Sequence, residues 1–336
     1  MHMADALLSP AVGGAMTAVG AGAIGYSVRR IAKGQFDEKK IPMMGVMGAF
    51  VFAAQMINFT IPGTGSSGHI GGGILLAALL GPFPALLTLA AVLLIQCLFF
   101  ADGGLLAYGC NVFNIGVCAC LAAYPLVYRP LVRRGMSKRS ITIASVASAV
   151  LGLQLGAFCV VLQTLFSGVT ELPFGVFAAL MQPIHLAIGT VEGLVTAAVL
   201  CYIHSVRPEI LESSAGSCAG VPIKKMLATF LVLTVLVSAG LSLFASGNPD
   251  GLEWSVEGAA GTAELEREGA VHQAAGKVVE ATAFLPDYAF AGDEDGSAAG
   301  TATAGLVGSA VTVALAGGIG LLLYAAQRRA SAKVGI

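Results

Sequence analysis

Charge is what this sequence has least of. Only 11% of its 336 residues are Asp, Glu, Lys or Arg, against about 25% in a soluble globular chain, and 56% are hydrophobic. That balance excludes an ordinary soluble enzyme, a disordered chain and a nucleic-acid-binding domain with a basic face. Aromatic residues are few as well, at 7%, whereas glycines number 44. Tightly packed membrane helices use small residues in this way, and a porin-like barrel does not. The seven cysteines, Cys97, Cys110, Cys118, Cys120, Cys159, Cys201 and Cys218, form no C-x-x-C pair and lie mostly in apolar runs. They read as free thiols used as small buried side chains, not as a disulfide framework or a thiolate metal site. The sequence contains no G-x-x-x-x-G-K-[ST], H-E-x-x-H or G-x-S-x-G. The first absence removes ATP binding through a P-loop, and the others weaken a protease or hydrolase reading.

What is present is a series of apolar runs. A helix needs about 20 apolar residues to span the hydrocarbon. Candidate spans fall roughly at 8–28, 41–61, 69–82, 84–101, 111–128, 141–166, 177–205, 226–246 and 304–326. The third is short and is counted because charge requires it. Sixteen of the 18 basic residues lie in four clusters, at 29–40, 129–139, 207–225 and 328–333. Positive residues stay on the cytoplasmic side, and all sixteen do so only if 69–82 crosses. The amino terminus is then outside. The first span lacks a basic n-region and its positive charges follow it, so it reads as a membrane helix, with Met1 as the mature terminus. The segment 247–303 is outside and carries 11 of the 19 acidic residues against Arg267 and Lys277. Its end, Ala289–Thr303, reads as a flexible loop. A composition shift at Val206–Lys225 divides the chain into residues 1–206 with seven spans, a cytoplasmic linker 207–225, and residues 226–336 with two. There is no internal repeat of the secondary-transporter kind.

Five histidines occur, and two lie on the outer side in informative company. The chain opens Met1-His2-Met3-Ala4-Asp5. A free α-amine followed by His is a chelator, since the amine, the His2 amide nitrogen and the His2 Nδ1 close two fused rings on one ion. Such nitrogen ligation suits Cu²⁺ or Ni²⁺ in a square plane and leaves the fourth corner open. His69, in Gly63-Thr64-Gly65-Ser66-Ser67-Gly68-His69, is on the same side and can supply that corner. The blander reading makes it a polar residue at a helix start capped by Ser66 or Ser67. Gly71, Gly72 and Gly73 behind it permit close approach of another backbone. Within the membrane, His185 and Glu192 share one face of span seven. They are read as hydrogen-bonding neighbouring helices, with a proton or cation path as the alternative. Asn58, Gln96, Asn111, Asn114, Gln154 and Gln182 read as interhelical hydrogen-bonding groups. His204 and His272 receive no role. Asp287, Asp293, Glu294 and Asp295 lack the spacing of a calcium loop and read as a solvated stretch.

Four separated segments, MHMAD, GTGSSGHIGGG, GCNVFNIG at 109–116 and HLAIGTVEG at 185–193, occur in the order found in the CbiM/NikM family, and residues 1–205 resemble it. These are substrate-capture (S) components of energy-coupling factor (ECF) transporters for cobalt and nickel. Asn248-Pro249-Asp250-Gly251-Leu252-Glu253 contains the PDGLE token of the family's small partner NikN, so the chain resembles a fused pair. The resemblance implies an all-α polytopic membrane protein, a seven-helix S component with its amino terminus outside plus a two-helix unit. It implies a metal site of the Met1 amine, the His2 amide and imidazole, and His69, with Asp5 holding the terminal segment. No catalytic residue, cofactor or nucleic acid is expected. The transported ion is Ni²⁺ by preference, with Co²⁺ open. A transmembrane coupling (T) subunit and cytoplasmic ATPase subunits that use ATP are the implied partners, in a lipid membrane. Where the family opens MHIPDG or MHIMEG, Met3-Ala4-Asp5-Ala6 stands here, which leaves the inward turn of the terminus less fixed. The competing readings are a stand-alone, gradient-driven metal permease using His185 and Glu192, and an intramembrane enzyme.

Overall fold

In the computed structural model, residues 2–34, 36–168, 172–211, 222–262, 265, 269–290 and 297–334 are described. The chain is a bundle of long helices, α1 Pro10–Lys33, α2 Lys40–Gln55, α3 Gly73–Leu80, α4 Pro82–Phe100, α5 Tyr108–Val132, α6 Lys138–Ser167, α7 Phe174–Val206, α8 Ile223–Ala239, α9 Gly251–Ala260, α10 Ala270–Thr282 and α11 Ala298–Val334. Seven of these segments are long and apolar enough to cross a membrane: α1, α4, α5, α6, α7, Ile223–Phe244 and α11. The protein is therefore a multi-pass membrane protein of the all-α class. Leu126, Phe166, Leu186, Leu194, Val232 and Leu322 are exposed on the bundle's flanks, where lipid is their solvent. Helix α4 is the axis of the bundle, with Phe100 and most of its leucines buried, whereas α1 lies at the rim.

Local signals set the ends. Ser9 caps α1 through the Val12 N–H ahead of Pro10. Ser137 and Ser140 form a capping box on α6, and Asp250 and Glu253 form one on α9. Much of α5, Val112–Tyr128, is wound as a π-helix and accommodates Pro125.

The second and third expected spans come out differently. Helix α2 stops at Gln55 and is only about 24 Å long at 1.5 Å per residue. Residues 59–61, expected to be helical, pair instead with 66–68 in a two-stranded antiparallel hairpin, Phe59 opposite Gly68. Ser66 and Ser67 thus lie in a strand and cap nothing. The residue capping α3 is Gly72, at φ +75°, where a Cβ would stand 2.5 Å from Val51 Cγ1. Helix α3 takes up only eight residues of 69–82. The segment nevertheless runs the length of α2. Gln55 at one end of α2 donates to the Gly71 carbonyl (2.9 Å), and Lys40 at the other donates to the Leu80 carbonyl (2.8 Å). A turn at Gly81, φ +86°, with Pro82 at the first helical position, then sends α4 back. The segment that charge singled out thus lies along α2 from end to end, with only its α3 part helical.

The basic clusters collect at one end of the bundle. Arg30 lies over Phe83 at the start of α4, Gln327 is bonded to Gly34 and Phe36, and Tyr324 donates to Glu38. The acidic segment 247–303 is more helical than a loop, since it contains α9 and α10, and α11 begins at Ala298. Residues 291–296, with Asp293, Glu294 and Asp295, lie outside the described residues, as do 212–221 with Cys218. The last two long helices pack on α2. Gly45 approaches the Val313 backbone, and Ser238 meets Ser309 at 3.2 Å between α8 and α11. Small residues let these backbones meet, as membrane packing requires.

A close backbone contact joins α1 to α5. A Cβ on Gly109 would stand 2.4 Å from Met16 O and from the Thr17 backbone. Gly109→Ala is expected to destabilise the protein by about 1–3 kcal/mol. Gly14→Ala, on the same helix pair's open face with nothing within 4 Å, is expected to be neutral or stabilising. Thermal unfolding of the two variants in detergent checks the difference.

Candidate metal site

The site lies at the end of the bundle opposite the basic clusters, where the chain's beginning is drawn into the protein. Met3 is fully buried. Its N–H donates to Asn111 Oδ1 at 2.7 Å, and its carbonyl accepts from Asn111 Nδ2 at 3.2 Å and from the Gly104 N–H at 2.9 Å. Two residues on, Asp5 accepts the Ala107 N–H at 2.9 Å. Burial pushes the Asp5 carboxyl above its usual range, and the backbone donors of the 105–107 turn oppose that. Gly103 and Gly104 make room, since a Cβ on Gly104 would fall 1.8 Å from Asp5 Oδ1. The Leu8 carbonyl accepts a hydrogen bond from His272 Nε2 at 2.9 Å, which ties α10 to the terminus.

This places His2 against His69. Their rings are stacked 5.0 Å apart at an interplanar angle of 8°. An ion held at about 2 Å by each of two nitrogens needs them within about 4 Å of each other. His69 Nδ1 is 3.2 Å from the Ile70 carbonyl, and its Nε2 is 4.0 Å from Asp250 Oδ2. His69 is buried. His2 Nδ1 lies 3.1 Å from Asp102 Oδ1, and Asp102 Oδ2 accepts the Tyr288 hydroxyl at 2.6 Å. Although burial pushes Asp102 up, His2 and Tyr288 together hold its carboxyl well below the usual range. His2 Nε2 is buried with no hydrogen-bond partner among the described residues. A chelate through the His2 amide nitrogen uses Nδ1, so an incoming ion has to replace Asp102 there. Met1 lies outside the described residues. Among the described residues no three His, Cys, Asp or Glu side chains converge as a ready-made metal site, which is consistent with a site that needs backbone nitrogens.

Above the two rings is a polar cavity of about 320 Å³, lined by His2, His69, Asp102, Asp250, Glu253 and Asp287 among others. Asp250 and Glu253 reach it from the C-terminal unit. Their segment is docked on the hairpin, where Ser67 donates its N–H to the Pro249 carbonyl (2.8 Å) and its hydroxyl to the Asn248 carbonyl (2.8 Å).

His2, His69 and Asp5 are therefore brought together. His185 and Glu192 are not part of this cavity. They line a small enclosed one of about 20 Å³ behind His69. His185 Nδ1 donates to the Met181 carbonyl at 2.8 Å, and Glu192 accepts from Gly71 and Gly72. Asn114 pairs with Gln163 (2.8 and 2.9 Å), and Gln154 donates to the Gln182 carbonyl (2.7 Å). Asp102, Tyr288 and His272 were missed by sequence reasoning. Only Asp102 carried a signal, as a lone acid between two apolar spans on the side of His2.

The family described as cobalt uptake substrate-specific transmembrane region matches residues 2–210, and a PDGLE domain matches residues 224–325. The fused nickel transport protein NikMN of Rhodobacter capsulatus is 33% identical over 98% of this chain and 100% of its own length. The cobalt transport protein CbiM of Geobacter sulfurreducens is 31% identical over 72% of each chain. A crystal structure of a truncated transition metal transporter superposes with a TM-score of 0.54 at 28% identity, over 61% of this chain and 99% of that one. By the extent of these matches the chain belongs to the CbiM family and carries a PDGLE domain behind it.

Proposed function

We propose that this chain captures Ni²⁺, or Co²⁺, from the outer side of the membrane for an ECF-type, ATP-driven importer. The observation that carries this is the stacked, buried pair of His2 and His69, from the extreme amino terminus and from a loop 67 residues on, beneath an acidic cavity. The ion enters through that cavity, where Asp102, Asp250, Glu253 and Asp287 supply a negative field for a divalent cation. It is then held by the Met1 amine, the His2 amide nitrogen and Nδ1, and the His69 imidazole. Four nitrogens in a plane suit Ni²⁺, and the affinity order also places it above Co²⁺. Asp102 keeps His2 in place until the ion takes over Nδ1, and Asp5 holds the strand that follows.

The termini orient with the amino end and the 247–303 segment outside and the carboxyl end in the cytoplasm, as the basic clusters require. Energy comes from partner ATPase subunits through a transmembrane coupling subunit, in keeping with a sequence that has no P-loop. The chain acts as a transporter subunit and not as an enzyme. A stand-alone permease with Glu192 on a proton path is not favoured, because both Glu192 oxygens already accept backbone hydrogen bonds.

The test is a titration of metal-free purified protein with Ni²⁺, read by visible absorption. A one-to-one endpoint with the band of square-planar nickel is expected. Acetylation of the Met1 amine is expected to abolish both, since it removes that donor. His69→Ala is expected to weaken binding at least about 100-fold with the fold intact, and Asp5→Ala about 10–100-fold. Affinity is expected to rise from about pH 6 to pH 8, because the Met1 amine and the chelating amide must lose protons to bind the ion. A flat pH dependence, or nickel bound with only the spectrum of the hydrated ion, overturns this site.

A further inference from the structure

Behind His69 the chain does something costly. Residues Gly68–Gly72 are non-helical backbone inside the bundle, and buried backbone N–H and C=O groups left unpaired at membrane depth are strongly unfavourable. Three side chains from two helices answer for this stretch. Glu192 on α7 accepts the Gly71 N–H on Oε2 at 2.8 Å and the Gly72 N–H on Oε1 at 3.1 Å. Gln55 on α2 donates to the Gly71 carbonyl at 2.9 Å. One turn before Glu192 on the same face, Ile188 fills the space in front of Gly68, where a Cβ would stand 2.5 Å from Ile188 Cγ1.

The attachment points bracket the histidine. Ile188 presses on the residue before His69, and Glu192 holds the second and third residues after it. The two donors that Glu192 binds also open the amino end of α3, where a carboxylate is electrostatically favoured. Glu192 is buried and distant in sequence from both ends of the site, and it lines none of the acidic cavity. We propose that Glu192 is a positioning residue for ion capture: it sets where the His69 imidazole stands by clamping the backbone just beyond it, and it acts on affinity only through His69. This rests on the reading that His69 is an ion ligand.

A double-mutant cycle in the full-length protein, with Ni²⁺ as the probe, tests it. Gln at 192 keeps the size of the side chain but cannot accept at both backbone N–H groups. Glu192→Gln is expected to weaken Ni²⁺ binding about 10–100-fold and to shift the visible band toward that of His69→Ala. In the His69→Ala background the same change is expected to cost nothing further, within about twofold. An equal loss in both backgrounds means that Glu192 supports the fold or touches the ion by another route, and overturns the proposal; so does an unchanged affinity in the single variant. If His69→Ala alone leaves affinity unchanged, the ligand assignment falls and the inference with it. If His69→Ala weakens binding and the cycle is additive, only the inference falls. Should Glu192→Gln not fold, Glu192→Asp, which keeps the charge and withdraws it by one methylene, runs the same cycle, with a smaller loss expected that again vanishes without His69.

Discussion

The pairing of one buried peptide unit with one amide side chain is what the site depends on. Asn111 takes the Met3 N–H and returns a hydrogen to the Met3 carbonyl, so the third residue of the chain is seated in the bundle as if it were a strand. A chain end is ordinarily frayed. Here it is held by Asn111, by the Gly104 N–H and, through Asp5, by the turn at 105–107. Only then does His2 have one position relative to His69. Nitrogens that form a chelate by virtue of their covalent spacing become a site only when the fold adds the last donor.

The same physical rule explains why the site is built from irregular backbone. Helices satisfy their own polar groups in lipid, but they offer only side chains. Ligation by backbone nitrogen, and a loop histidine beside it, requires non-helical segments inside the bundle. Each such segment is matched by polar side chains on neighbouring helices. The 101–107 turn is served by Asp5, and the 68–72 segment by Gln55 and Glu192. Glycine supplies the space, at Gly72 and Gly81 through positive φ and at Gly104 by leaving room for a carboxylate.

The C-terminal unit is part of this construction and not an appendage. Its long helices meet each other at Ser238 and Ser309 and close on α2 through Val313, and its segment 247–303 brings Asp250, Glu253, Asp287 and Tyr288 to the mouth of the cavity. Asp250 serves twice, as the cap of α9 and as the carboxylate facing His69. The PDGLE token is thus a helix start whose capping uses one oxygen of Asp250 and leaves the other turned to His69.

Much was legible in the sequence because the bilayer imposes one-dimensional rules. Apolar length marked the spans, and the basic clusters drew attention to 69–82, where α3 has only eight residues. His2 and His69 could be singled out as a possible pair from residue type and charge pattern, and the fold stacks their rings. What only the tertiary structure decided is which distant groups meet. Asn111 with Met3, Asp102 with His2, Tyr288 with Asp102 and Glu192 with Gly71 are separated by up to 186 residues. The hairpin at 59–68 was missed because its short strands owe their pairing to the Pro249 segment docked against them. Sequence patterns report a residue's own helix and its side of the membrane; hydrogen bonds between polar groups on different helices depend on how those helices rotate and pack, and that is fixed only when the whole bundle assembles.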